Sequence, residues 1–384
     1  MLTLAWILGI GLIGPILALP KRFRIPVSVG EILIGVLFGS SGLKKIPLGS
    51  PSLHLIANIG FAMVMMVAGS HIDMKAITRA PVMRKALRNQ AAVIAVATPL
   101  AFLISYLTGF HFTWLYLVLL SSSSAALVLP IFAARSQTPN NDGVSVLLTQ
   151  VAIADLLSVI AVPLVLGSNH VFKIIIGSIL VIIAAGFFSG VFGFAIKKGW
   201  VPKLREISKE RHLGIELRIS LIVLFLLAGL AQRFSTSVMV AGFAMGLALT
   251  VNGMPHRLAR QIFAVSEGLF APFFFVWLGA EIDVRAAFRS SHLILLSVTL
   301  FLAALACHAV ATLMGQRFIF TVLAATQLGV PVAAVTIGQS VGLLTPGQAG
   351  AIMLAALATI LTSVVVSVKI PIAKNEIPRT PRIL

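Results

Sequence analysis

The 384-residue chain predicts an all-helical integral membrane protein, and three observations carry that expectation. Hydrophobic residues make up 59% and charged residues 10%, far from the averages of soluble domains. Mean hydropathy is +1.05. Apolar runs of roughly 17 to 25 residues recur along the chain, each long enough to cross about 30 Å of hydrocarbon as a helix, and the alternating pattern of an outer-membrane barrel is missing.

Thirteen spans are expected, at 3–19, 26–43, 53–70, 86–108, 113–135, 143–166, 171–197, 214–231, 235–251, 261–281, 290–314, 318–343 and 347–371. The longest polar connections, 71–85 and 198–213, are too short for a second domain. One transmembrane domain over 1–371 with a short cytoplasmic tail, 372–384, is therefore expected. The opening "MLTLAWILGIGLIGPILALP" has a near-neutral start and no small-residue cleavage site, so it reads as a retained helix. Cys307 is the single cysteine, which excludes an intramolecular disulfide and a Cys-based metal or redox centre and reads as packing.

A net charge of +18 invites a nucleic-acid partner, but the basic residues sit in the short connections, where topology places them. The connections after odd spans, with the helix ends beside them, hold 22 Lys/Arg and those after even spans hold 6. The N-terminus is thus expected outside and the C-terminus in the cytoplasm of a multi-pass inner (plasma) membrane protein. The densest patches, "RAPVMRKALR" at 79–88 and "KKGWVPKLREISKERH" at 197–212, then face anionic lipids of the cytoplasmic leaflet.

An internal repeat is visible. "VAGSHIDMKA" at 67–76 resembles "WLGAEIDVRA" at 277–286, pairing Gly69 with Gly279 and Asp73 with Asp283, and the surroundings of Gly35 resemble those of Gly246. On the topology above the copies run in opposite directions, the signature of an inverted-repeat transporter with repeats in spans 2–6 and 9–13. The fourth helix of each repeat is commonly interrupted in such folds. Span 5 carries "LLSSSSAALVLP", in which Ser121 to Ser124 compete for backbone hydrogen bonds and Pro130 removes a donor. Span 12 carries "AATQLGVPVAAVTIGQSVG", with Gly329 and Pro331 as the breaker. Serines that pack helices and a simple proline kink are the bland alternative.

Of eleven carboxylates, only Asp155, in "TQVAIADLLSVIAVPLVLG", lies near the centre of an expected span. An aspartate there costs at least about 2.5 kcal/mol on insertion scales, so it is partnered or faces a watery cavity. A proton and a metal cation can both occupy such a group, and their competition for it is an exchange mechanism. A structural hydrogen bond to a neighbouring helix is the alternative reading.

These residues also carry a family resemblance. "PVSVGEILIGVLFGSSGL" at 26–43, "MVAGSHIDM", "LSSSSAALVLP", "GLFAPFFFVWLGAEIDV" and "GQSVGLLTPGQAGAIMLAALATILTS" resemble, in order, five motifs of bacterial cation:proton antiporters, in the branch of Kef-type potassium-efflux systems and NapA-like sodium/proton antiporters. The resemblance implies a homodimer with a scaffold and a mobile core that carries the ion across by an elevator-like displacement. It also implies that Asp155 is the ion- and proton-carrying aspartate. Ala154 stands where electrogenic relatives have a second acid, and His308, in "LACHAVATLMG", stands where the family has a membrane-embedded lysine.

His308 could donate to a carbonyl of a broken helix, pair with Asp155, or pack. Ser122, Ser123, Ser124, Thr149, Ser158 and Gln327 are candidate oxygen ligands or supporting groups. The expected function is exchange of Na⁺ or K⁺ for a proton, electroneutral because one intramembrane acid remains, with no cofactor. The other reading is a non-exchanging protein of the same fold, a sensor or a channel-like efflux pathway. The nucleotide-binding domain appended to many potassium-efflux relatives is not expected after residue 371. An enzyme is not expected, because no HExxH, G-x-S-x-G or P-loop pattern occurs.

Overall fold

The computed structural model describes residues 2–18, 27–70, 79–133, 142–166, 171–211, 213–234, 236–251, 253 and 255–367. Asp73 and the tail 372–384 lie outside the described residues. All regular structure among the described residues is helical. Helices α1 (Leu2–Gly11) and α2 (Ile13–Ala18) lead into a first unit of α3 (Val27–Phe38), α4 (Pro51–Ser70), α5 (Ala80–Thr108), α6 (Thr113–Ser121), α7 (Ala125–Ala133) and α8 (Asp142–Leu166). Three helices connect it onward: α9 (Val171–Lys197), α10 (Trp200–Glu210) and α11 (Ile215–Arg233). The second unit is α12 (Val238–Val251), α13 (His256–Val265), a π turn (Ser266–Phe270), α14 (Ala271–Glu281), α15 (Val284–Ala287), α16 (Ser291–Ala309), α17 (Phe318–Ala324), α18 (Gly329–Ser340) and α19 (Pro346–Ser367).

Nine helical stretches among the described residues are long and apolar enough to cross a membrane, and three shorter apolar helices accompany them. The stretch Thr113–Ala133 falls in neither group, because its interruption leaves two halves of 9 residues each. The connection 198–213, expected to be a polar loop, contains α10.

The two units pack on each other through equivalent helix pairs. The α3 helix packs on α14 and α4 on α12; α5 packs on α8 as α16 does on α19, and α5 meets α16 between them. The glycines paired in the sequence repeat make these contacts. A Cβ on Gly279 would lie 2.9 Å from the Gly35 Cα, and one on Gly69 would lie 3.2 Å from the Gly246 Cα. Exchanging the units turns one contact into the other. Small residues at both positions let the backbones touch, which is how apolar helices associate where the surroundings are equally apolar. The fold therefore has a frame of α3, α4, α12 and α14, and a module of α5–α8 and α16–α19.

The two interruptions have local causes. In the first, the Ser121 hydroxyl donates to Leu117 O at 2.8 Å and the Ser122 hydroxyl to Leu119 O at 2.7 Å, so side chains occupy carbonyls of the last turn of α6. The chain is extended at Ser122 and helical again from Ala125. Pro130 lies inside α7 and does not make the break. In the second, α17 ends at Ala324 and α18 begins at Gly329, so the interruption occupies 325–328. Gly329 and Pro331 stand in the first turn of the new helix, where the missing proline N–H costs nothing. Both prolines thus sit downstream of the gaps that the sequence assigned to them.

Candidate ion-binding site

Asp155 is 3% exposed and sits midway along α8, which packs against α6, α7, α17 and α18, the four half-helices. Its Oδ2 accepts a hydrogen bond from the Ala125 N–H at 3.0 Å. Ala125 is the first residue of α7, so the carboxylate lies at the start of a half-helix, whose free N–H groups and dipole favour negative charge. The interruption at Ser122–Ser124 exists at the depth where the acid needs it, and it supplies the donor.

The other expected residues distribute around this point. Ser122, Ser123 and Ser124 form the first interruption, and all are buried. The Ser122 hydroxyl is spent on its own helix, whereas the Ser123 hydroxyl has no hydrogen-bond partner among the described residues. Thr149 is buried on α8. Ser158 donates to Ala154 O at 2.6 Å and to Asp155 O at 3.1 Å, so its proton serves the helix that carries the acid. Gln327, in the second interruption, donates its backbone N–H to the Thr359 hydroxyl at 3.2 Å, and its Nε2 has no partner among the described residues. Its neighbour Thr326, unmarked in the sequence, is fully buried with a hydroxyl that has no partner among the described residues. Gln150, five residues before Asp155, is buried, and neither of its amide atoms has a partner among the described residues. Unpaired buried polar atoms are rare in folded proteins. Both interruptions and α8 carry them.

His308 is buried and not bonded to Asp155. Its Nδ1 faces Ala304 O, one turn back on α16, at 3.0 Å, so that nitrogen carries the proton in the bond; Nε2 has no partner among the described residues. Reach into the broken helix comes from the residue beside it. The Cys307 thiol donates to Leu120 O at 3.1 Å, and Gln90 Nε2 on α5 donates to Ser121 O at 2.8 Å. Cys307 is therefore more than packing: with Gln90 it satisfies carbonyls that the end of α6 leaves open. Sequence shows no signal for either contact, since the partners are separated by 187 and 31 residues.

Two other carboxylates lie within apolar helical stretches. The helix that carries Glu267 starts at His256, and Glu267 falls in the π turn of the span Arg257–Glu281. Glu31 is 2% exposed, where the α2 backbone at Gly14 crosses it. Of these carboxylates, Asp155 is hydrogen-bonded to the start of a half-helix. Among the described residues no group of three or more His, Cys, Asp or Glu gathers as a metal cage.

A polar cavity of about 450 Å³ lies between α4, α14 and α18, lined by His54, Asn58, Thr236, Glu281, Gln339 and Ser340 among others. It runs between the frame and the half-helix α18, which contacts α8.

The family model for the transmembrane sodium/hydrogen exchanger matches residues 8–374. The chain belongs to the sodium/hydrogen exchanger family. Among relatives of this chain, YjbQ of Bacillus subtilis, whose name places it with the Na(+)/H(+) antiporters, is 24% identical over 94% of this chain. The match spans 62% of the length of YjbQ. The Na(+)/H(+) antiporter of Enterococcus hirae is 23% identical over 78% of this chain and 77% of its own length. In fold, the chain is similar to the sodium proton antiporter MjNhaP1 of Methanocaldococcus jannaschii at pH 8, with a TM-score of 0.64, 17% identity, and coverage of 96% of this chain and 98% of that one.

Proposed function

We propose that this protein exchanges one monovalent cation, Na⁺ or K⁺, for one proton, with Asp155 as the group that both occupy. The observation that carries the reading is the buried Asp155 carboxylate on the N–H of Ala125, at the start of a half-helix, on a helix that packs against all four half-helices. Protonated, the acid is neutral and suited to its apolar surroundings. A cation that displaces the proton needs further oxygens, and the hydroxyls of Ser123 and Thr326 are buried and unspent. Backbone carbonyls of the interrupted segments supply others without a carboxylate cage. Ala154 leaves one acid at this point of α8, so one charge leaves as one arrives and the exchange is electroneutral.

Under the orientation set by the basic connections, the cavity beside Glu281 opens to the outside and offers cations a route towards α18. Alternating access is then an elevator-like movement of α5–α8 and α16–α19 against the frame. The working unit is a homodimer in a plasma membrane, as the resemblance implies.

The test is exchange in proteoliposomes, with a pH dye inside and Na⁺ or K⁺ pulses outside. Asp155→Asn keeps an oxygen for the Ala125 N–H but binds neither proton nor compensating cation. Exchange should fall to the level of empty vesicles while thermal unfolding and elution stay as in wild type. Cation-driven pH change at the wild-type rate in a folded Asp155→Asn protein would overturn the assignment.

A further inference from the structure

A second cavity, of about 760 Å³ and mostly apolar, lies between α8, α9 and α12. Its walls include Leu156 and Val159 of α8, Gly186 and Gly190 of α9, and Phe243 and Leu247 of α12. A Cβ on Gly186 or Gly190 would meet nothing within 4 Å, so the α9 wall stands clear of its neighbours. Ile182, Phe194 and Val251 line it while remaining exposed, so the space opens sideways rather than being sealed. Of its two polar side chains, Ser189 is spent on Ala248 O at 3.2 Å. The other, Lys197, stands exposed at the C-terminal end of α9.

The depth of that end is fixed independently. Helix α10 begins three residues later and is amphipathic: Trp200, Leu204 and Ile207 are exposed along one face, at the spacing of successive turns, and Val201 and Ser208 are buried against the protein. Such a helix lies in the plane of the membrane surface with its apolar face among the upper acyl chains. It is held there, because the Ser208 hydroxyl accepts from the Ile215 N–H at 3.2 Å and Ser208 O accepts from Arg257 at 3.3 Å. Lys197 therefore sits at headgroup level, with Lys198 beside it over the Phe194 ring at 5.7 Å. The apolar space runs from there into the hydrocarbon.

We propose that this cleft is a binding site for one anionic glycerophospholipid, with an acyl chain between α8 and α12 and the phosphate on Lys197. An apolar space of this size, open to the bilayer, fills with the acyl chains around it, and the lysine at its mouth selects the headgroup charge. Leu156 follows Asp155 directly on α8, and α12 belongs to the frame, so the chain wedges between the acid-bearing helix and the part it moves against. The binding claim rests on the cleft alone. Its effect on transport rests on the exchange reading, and the experiment below measures binding without transport.

The experiment is native mass spectrometry of the detergent-purified full chain, titrated with phosphatidylglycerol or phosphatidylcholine of identical acyl chains. Wild type should retain one phosphatidylglycerol per chain at least tenfold more tightly than phosphatidylcholine. Gly186→Leu and Gly190→Leu, which fill the cleft from positions with open space and favour the helix, should remove the tight lipid. Lys197→Gln, an exposed substitution that leaves packing untouched, should abolish the preference for phosphatidylglycerol. Equal retention of both lipids by wild type overturns the proposal, as does unchanged retention in the lysine variant or in folded glycine variants. A second protein copy displaced by the leucines, in place of a lipid, overturns it too.

Discussion

Replacing Gly279 by alanine adds one methyl group where two backbones meet, and the structure sets its cost. The new Cβ would lie 2.9 Å from the Gly35 Cα and the same distance from the Ile32 carbonyl carbon, with the Ile32 carbonyl oxygen nearer still. Ordinary contact begins at 3.4 Å, so α3 and α14 must part by at least 0.5 Å. None of these neighbours is a side chain that could rotate away. A gap of that size forfeits roughly a quarter of the dispersion energy of the contacts it opens, and overpacking of this kind costs about 1 to 3 kcal/mol. The rigid neighbours argue for the upper end. Alanine returns about 1 kcal/mol of helix propensity, leaving a net loss of about 2 kcal/mol. Gly186→Ala is the control, because its Cβ meets nothing and only the propensity gain of up to about 1 kcal/mol remains. Reversible unfolding of both variants in mixed micelles, followed by circular dichroism, should separate them by about 3 kcal/mol on this reasoning. Equal stability of the two would refute the claim that the frame is held by backbone contact at Gly279.

Cys307→Ala leaves the buried Leu120 carbonyl without its thiol donor and should lower stability by about 1 kcal/mol, with Cys307→Ser restoring most of it; thermal unfolding that ranks serine with alanine contradicts the capping role. His308→Gln should leave exchange within about twofold of wild type, because the ring's Nδ1 is engaged by its own helix; a fall in the proteoliposome rate of tenfold or more, about 1.4 kcal/mol, would bring the ring into transport. Collapsing the membrane potential with an ionophore should not change the exchange rate. A clear dependence on potential would demand a second titrating acid, with Glu31 or Glu267 the first to substitute.

What the sequence made legible was whatever conflicts with its own surroundings. An aspartate in an apolar run, four serines in a helix and a Gly-x-Pro in another each contradict the local pattern, and the structure gathers those segments around α8. The repeat-paired glycines were legible for a different reason: a backbone contact forbids every other residue, so Gly35, Gly69, Gly246 and Gly279 persist as a signature of symmetry. Less legible was the exact edge of each interruption. Pro130 and Pro331 mark where a donor is missing, but the breaks lie upstream, because hydroxyls compete for carbonyls there and a new helix tolerates a proline in its first turn. Cys307 and Gln90 left no trace, as capping by a residue distant in sequence depends on packing alone. The helix start at His256 was not legible either, since the apolar run that marked its span begins at 261.

The two halves also share an offset that bears on how the protein handles charge. Ala125 and Gly329, which open α7 and α18, are 204 residues apart, and so are Asp142 and Pro346, which open α8 and α19. The same spacing carries Asp155 onto Thr359. Each accepts a backbone hydrogen bond at its own half's interruption, Asp155 from Ala125 at the start of α7 and Thr359 from Gln327 inside the gap before α18. One architectural plan is thus executed twice, once with an ionisable group and once with a neutral hydroxyl. The halves are alike as scaffolding and unequal as electrical elements. On the exchange reading proposed above, this difference between the copies would place the ion-carrying group in the first half, with a neutral hydroxyl at the matching point of the second.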